Sequence, residues 1–552
     1  MRKLIVLSFS TLALSVQAQY KLVVDKAGEV NDNFSISRIE EISFGKDEMT
    51  IRSEGEGFSL LIDDVRNMTF EPVDVSLNSL TFDRLLNGLK NDYNCEIRDD
   101  TVFIRLNEYA DVERLIPRFD INGSRLMIGG NEVSSDNSTV SFRDDMKLSV
   151  YDEAGYVRDY VTKVIPYSPT GLPVLYIWTE GKETVVSKDY YLKGTFRIQG
   201  NELFPATEEV ALEIKGRGNS TWQLPKKPYA LKLKSAVSVL GMPAHKRWVL
   251  LANWMDRTLM RNRISLLISE KTGLAWTPRN QYVEVIMNGK HTGNYLLTEH
   301  IKVDPNRVNI KSLKAGDTEE PAITGGYLME FDTNYDEVNK FRTDAPFNLP
   351  AMFKEPDEET LNTRQFDYMK NYINGVQALI ASGRESSYEQ IAEMIDINSF
   401  IDWWLVYELS GNKEPQHPKS TYMHKDREGA LTAGPVWDFD WGTYVAENAS
   451  SFINTEYVWY GYLFRFPQFK AAVKARWAEL LPAFETVKEE IDFEKDYLAS
   501  SWEMNDPMWP LSAHPFGYEN KDHNLNYDEA TTRLKQNYTQ KLEFLKIAIP
   551  NL

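Results

Sequence analysis

The sequence predicts an α+β protein in which strand-rich segments come first and a helical segment last. Three observations carry this. Short apolar–polar alternations separated by Gly, Asn and Asp turns recur through the first 300 residues. Beyond residue 360 the pattern turns helical, apart from one hairpin at 420–440. Apolar residues make up 42% and charged residues 26%, the balance of a folded chain with a core to bury. At roughly 150 residues per domain, 552 residues suggest about three to four domains.

The first element is a processing signal, residues 1–18. Arg2 and Lys3 precede an apolar stretch, 4–16, too short to span a bilayer comfortably. Val16 and Ala18 place small residues before Gln19, which predicts cleavage after Ala18 and a secreted, periplasmic or cell-surface protein. No later stretch reads as a transmembrane helix. Residues 19–75 read as a small β-rich module. In it Ile36, Ile39, Ile42 and Phe44 recur 26 residues later as Ile62, Val65, Met68 and Phe70. Two copies are too few for a solenoid, which needs about three. Residues 76–170 follow, with a helix expected at 81–89 and alternating strands at 102–104, 138–142 and 147–151. That pattern suits an immunoglobulin-like β-sandwich. Pro166, Pro169 and Pro173 mark its end.

The remaining element, 171–552, opens with strands at 174–177, 210–214 and 229–234. A helix is expected at 257–271, with Asp256 as its N-cap and Gly273 as its stop. Strands at 281–287 and 293–298 flank Asn288-Gly289, a strong hairpin signal. A helical tail after about 480 ends in a helix at 531–547, to which the sequence attaches no chemistry.

Composition excludes several functions. With 62 Lys and Arg against 81 Asp and Glu the formal charge is −19, which argues against a general nucleic-acid binder, since that needs a basic face, and leaves room only for an isolated basic pocket. The single cysteine, Cys95, excludes a disulfide framework, a Cys-rich zinc site and an iron–sulfur cluster. Seven scattered His give no HExxH spacing.

Three clusters could carry chemistry. In 215–222, glycines flank Arg217 after a predicted strand; such a turn lets backbone approach a ligand, and Arg with Ser and Thr can hold anionic oxygens. Alone, it is as readily a plain turn. In the strand after Pro225-Lys226-Lys227-Pro228, Tyr229, Leu231 and Leu233 face one way and Lys232 the other, either as a phosphate ligand or as a solvated lysine. The third cluster is the polar loop 411–420, followed by a strand, a turn and a second strand ending in Trp437-Asp438-Phe439-Asp440. In an extended chain Asp438 and Asp440 point the same way, and two hard oxygen ligands suit Mg2+ or Mn2+ carried on a nucleotide phosphate. Capping aspartates are the alternative.

From about 172 to 480 these motifs, in this order, resemble the CotH kinase family, atypical protein kinases related to spore coat proteins. The matching residues are Arg217 to Trp222, Pro225 to Tyr229, Trp248 to Asn253, Asp256 to Thr258, Arg261-Asn262, Asn288-Gly289, Gly293 to Tyr295, Glu299, Gly325 to Tyr327 and Trp437 to Asp440. The resemblance implies a divergent, two-lobed protein-kinase-like fold, with a β-rich lobe before a helical one. It implies ATP with Mg2+ or Mn2+ as cofactors and a protein acceptor. It makes Lys232 the strand lysine, with Lys227 as its rival, sets Glu299 near the adenine, and gives Asp438 and Asp440 to the metal.

One departure stands out. Glu414 occupies the position where the family carries an Asp, and no Asn lies between 413 and 420, where Lys419 stands near the expected place. Glu414 can accept a hydroxyl proton from a displaced carboxylate, and a shift of roughly an ångström costs about a hundredfold in rate. Lys419 can balance charge on a transferred phosphate. Outside the cytoplasm ATP is scarce, so an exported kinase needs a local donor. The competing expectation is a non-catalytic, pseudokinase-like surface protein binding a protein or a glycan, which the 13 Trp would suit.

Overall fold

The computed structural model describes residues 20–552, apart from 29, 54, 144, 153, 154 and 166. The expected signal peptide lies outside the described residues. The chain divides into two compact units, meeting between Tyr167 and Ser168.

In the first unit the 26-residue repeat is a structural one. Each copy is a 3-10 turn leading into a strand, Ile36–Arg38 into Ile39–Phe44 and Ile62–Asp64 into Val65–Pro72. The copies exchange these strands. Val65–Pro72 pairs with Tyr20–Lys26, whereas Ile39–Phe44 pairs with Glu48–Ser53. Leu22, Val24, Phe34, Ile42, Met49 and Ile51 form one small core between the two sheets. Farther along, a three-stranded and a six-stranded sheet share a second core, Leu77, Leu80 and Phe82 meeting Val102, Leu126 and Leu148.

Two expectations in this unit change. The helix at 81–89 shrinks to Arg84–Asn87: Phe82 is buried as the end of a strand, Asp83 caps the backbone N–H groups of Leu85 and Leu86, and Gly88 closes the turn at φ +67°. At 138–142 there is no strand, only a bridge from Val140 to Leu115.

The second unit opens with a closed seven-stranded barrel in the order Val174–Thr179, Leu192–Gln199, Val210–Gly216, Tyr229–Val239, Met242–Leu251, Lys290–Glu299, Asn280–Met287. Parallel pairing of the first and last closes it. Period-two alternation fills the interior with Leu231, Leu233, Trp248, Leu250, Val283, Val285 and Leu297. Asn288 and Gly289 take φ +53° and +81°, as a two-residue hairpin requires.

After the barrel comes a five-stranded sheet, in which Tyr327–Phe331 lies between Pro350–Glu355 and Thr421–Lys425. Helices Thr363–Ser382, Ile397–Ser410, Pro467–Glu485, Val487–Met508 and Tyr527–Ala548 pack around it and around Arg261–Glu270. Ile397–Ser410 is buried on nearly every face, with Trp403, Trp404 and Tyr407 in one core. The chain is therefore α+β. No helix among the described residues is long and apolar enough to cross a membrane.

Candidate active site

A polar cavity of about 650 Å3 lies where the barrel, the central sheet and the loops around 414 and 438 meet. Its barrel side carries the glycine turn. Gly218 sits at φ +82°, and a Cβ on Gly216 would collide with the Trp222 ring, so both positions need glycine. The turn projects Arg217, whose guanidinium lies over the Trp437 ring, 5.5 Å from its centroid.

Opposite stands the 411–420 loop. The buried helix Ile397–Ser410 ends at Gly411 in the left-handed region, φ +68°. Asn412 follows, 1% exposed, and joins the two halves of the site. Its Oδ1 accepts from the Glu414 backbone N–H at 2.7 Å, and its Nδ2 donates to the Asp438 carbonyl at 2.8 Å. The Asp438 segment is pinned elsewhere too. The Phe439 N–H donates to Asn262 Oδ1 at 2.9 Å, and the Tyr407 hydroxyl donates to the Trp437 carbonyl at 3.0 Å. Phe439 is wholly buried, 5.0 Å from the Tyr407 ring.

The chain is not extended at this point. The hairpin strand stops at Ala433, and Asp438 has φ +69°. The shared direction of Asp438 and Asp440 thus comes from a pinned loop and not from strand alternation. Both carboxylates nonetheless line the cavity, as do Arg217, Glu414 and Lys419.

These groups crowd one another. Burial, then the nearby Asp438 charge, pushes the Glu414 carboxyl up to about 8. The same causes push Asp440 up to about 8. Asp438 opens to the cavity and is exposed there, yet the surrounding protein displaces enough water to raise its carboxyl, with Arg217 opposing. Glu414 Oε2 is buried without a hydrogen-bond partner. Among the described residues, neither Arg217 nor Lys419 forms an ion pair. The cavity therefore holds crowded carboxylates together with Arg217 and Lys419, which temper that crowding from beyond ion-pair distance.

Three sequence candidates lie elsewhere. Lys232 points off the barrel, its ammonium 2.6 Å from Glu213, and does not line the cavity. Its neighbours Leu231 and Leu233 fill the barrel interior, which forces it outward. Lys227 turns back to donate to the Trp222 carbonyl at 2.8 Å. The adjacent Lys226 reaches the cavity wall but is buried, donating to Asn505 Oδ1 at 2.9 Å, and burial lowers its pKa to about 7. Glu299 is fully buried against Arg279, at 2.9 Å, behind the His300–Lys302 stretch that does line the cavity.

Asp332 was not singled out in the sequence. It ends the central strand and lines the cavity, its Oδ2 accepting from the Ser420 N–H at 3.0 Å and Oδ1 from the Asn334 N–H at 2.7 Å. No local motif marks it; only strand pairing brings it beside 419–420. Asn412 had a signal, its place at the start of the polar loop 411–420, and Asn262 stood next to Arg261 in the motif series.

Among the described residues no three His, Cys, Asp or Glu side chains are grouped to hold an ion unaided. The donors that do line the cavity are hard carboxylate oxygens, one of them orphaned, which fits a divalent cation completed by phosphate oxygens.

No curated protein matches the chain. A solved structure named as a "putative glycoside hydrolase" from Bacteroides thetaiotaomicron matches at 14% sequence identity and a TM-score of 0.14, covering 32% of this chain and 51% of that one. The chain thus spans about half that relative's length, and a TM-score of this size supports no statement about fold or function. The family model described as CotH kinase protein matches residues 214–545, more than half of the chain and the whole of the cavity's functional set. The glycine turn, the 411–420 loop and the Asp438 loop all fall within that match, and the chain belongs to the CotH kinase protein family.

Proposed function

We propose that the cavity binds a nucleoside triphosphate, ATP, with Mg2+ or Mn2+, and transfers its terminal phosphoryl group to a hydroxyl of a protein. The observation that supports this best is the meeting, at one cavity, of the Arg217 and Lys419 cations, neither within ion-pair distance of a carboxylate among the described residues, with the crowded carboxylates of Glu414, Asp438 and Asp440. In this reading the barrel and the helical part act as the two lobes of a kinase-like domain.

Each residue has a part. Asp438 and Asp440 would hold the cation, which when bound shields the phosphate charge. Arg217 faces the phosphates with a planar fork of donors. Glu414, in its ionised form, takes the proton of the acceptor hydroxyl. The acceptor oxygen forms its bond to phosphorus, the bridging oxygen of the donor keeps the electron pair of the bond that breaks, and a nucleoside diphosphate leaves. Lys419 offsets the charge on the moving phosphoryl group. The N-terminal basic pair, apolar stretch and small residues support export, which puts this chemistry outside the cytoplasm.

The test is incorporation of terminal phosphate from labelled ATP into protein acceptors by wild type and Glu414→Gln. Transfer by wild type that drops by about a hundredfold in the variant supports the reading. Equal incorporation by both removes Glu414 as the base. Lys419, standing where a metal-binding Asn is expected, favours a second reading in which the cavity binds nucleotide without transfer. Binding with no incorporation by wild type would select it.

A further inference from the structure

We infer that the closing helix, Tyr527–Ala548, is a positioning element of the cavity, acting through Lys541; its consequence for rate rests on the reading above. Lys541 is 2% exposed, and its ammonium uses all three of its protons. They go to Glu408 Oε2 at 2.8 Å, the Asn448 carbonyl at 3.1 Å and the Ser451 carbonyl at 2.6 Å. Glu408, wholly buried in Ile397–Ser410, spends Oε1 on the N–H groups of Ile453 and Asn454, at 3.0 and 2.6 Å. The ion pair therefore fixes both ends of a strap, 448–454.

From that strap three bonds reach the loop that carries Glu414. Asn448 Nδ2 donates to the Gly411 carbonyl at 2.8 Å, Asn454 Nδ2 donates to the Asn412 carbonyl at 2.8 Å, and Gln416 Nε2 donates to the Ile453 carbonyl at 2.9 Å. Glu414 depends on this scaffold, because its Oε2 has no hydrogen bond of its own and its backbone N–H is held by Asn412. Asp438 depends on it less, because Asn262, Tyr407 and Arg261 pin its segment independently. Loosening the strap should thus displace the proton acceptor and spare the nucleotide site.

The experiment compares the full chain with Asn454→Ala, which cuts one strap bond without touching the buried ion pair, and with Lys541→Met. Amide hydrogen exchange is followed over 411–416, together with the rate of phosphate incorporation and the half-saturating Mg·ATP. The expected result for both variants is exchange faster by about tenfold and a rate lower by about tenfold, at a half-saturation within about twofold of wild type. Asn454→Ala keeps the melting temperature of wild type within a few degrees. Unchanged exchange over 411–416 in both variants overturns the inference, and so does a rate that falls only as far as the folded fraction does. Failure of wild type to bind Mg·ATP would remove the functional reading alone, since the exchange comparison still decides whether the strap positions the loop.

Discussion

Glu414 and Asp440 bind their protons more tightly in the folded protein than in the unfolded chain, because burial and the Asp438 charge oppose ionisation. The stability that this supplies is whole below the ordinary carboxyl values of 4.5 and 3.8, and it is lost as pH rises through about 8. Asp440→Asn removes the share of that loss due to Asp440. Without divalent cation the variant should melt about 2–4 °C above wild type at pH 8.5, with the gap shrinking steadily toward pH 4 in a calorimetric pH series. A gap that widens at low pH would contradict the assigned direction. A second residue-scale prediction separates cavity from periphery. Arg217→Ala should weaken Mg·ATP binding about tenfold, and Lys232→Ala should leave it within twofold, because Arg217 lines the cavity whereas Lys232 is paired with Glu213 outside it. The sequence marked Arg217 and Lys232 alike; what separates them is place, Arg217 in the turn at the cavity and Lys232 held to Glu213 farther along the barrel's outer face.

Elements were legible where local chemistry dictates backbone shape. Asn288-Gly289 needs two positive φ angles and took them, and the polar loop read at 411–420 begins at Gly411, where a left-handed residue ends the preceding helix. The 26-residue repeat was legible as a pattern, but its strand exchange was not, because pairing partners leave no trace in spacing. The Asp438 loop shows the same limit. Its two aspartates both line the cavity, yet the extended strand assumed for them gives way to a turn held by Asn262, which approaches from 176 residues earlier in the chain than Asp438. Asn262→Ala should cost about 1–3 kcal/mol in denaturant unfolding, since the Phe439 N–H loses its acceptor in a dry interior. It should also weaken Mg·ATP binding. A variant as stable as wild type would show that the Phe439 N–H finds another partner.

Across the whole molecule, every residue named at the cavity lies in Ser168–Leu552, the second compact unit. That unit expressed alone should unfold in one transition and bind Mg·ATP as the full chain does; loss of binding on removing the first unit would mean that the cavity is incomplete without it. The helical tail, silent in the sequence, supplies Asn505 to Lys226, Asp522 to Arg261 and Lys541 to Glu408, so the end of the chain holds the wall, the Asp438 loop and the Glu414 loop in turn. Such long-range pairs arise only when the fold closes, which is why no motif announced them. The central claim is that Arg217, from the barrel, and Asp438, from the helical part, share one nucleotide. Isothermal titration of Mg·ATP into the full chain, repeated with Asp438→Ala, tests it most directly. Wild type should give saturable heat, and the variant should bind at least tenfold more weakly. No heat from wild type, or equal affinity in both, would contradict it.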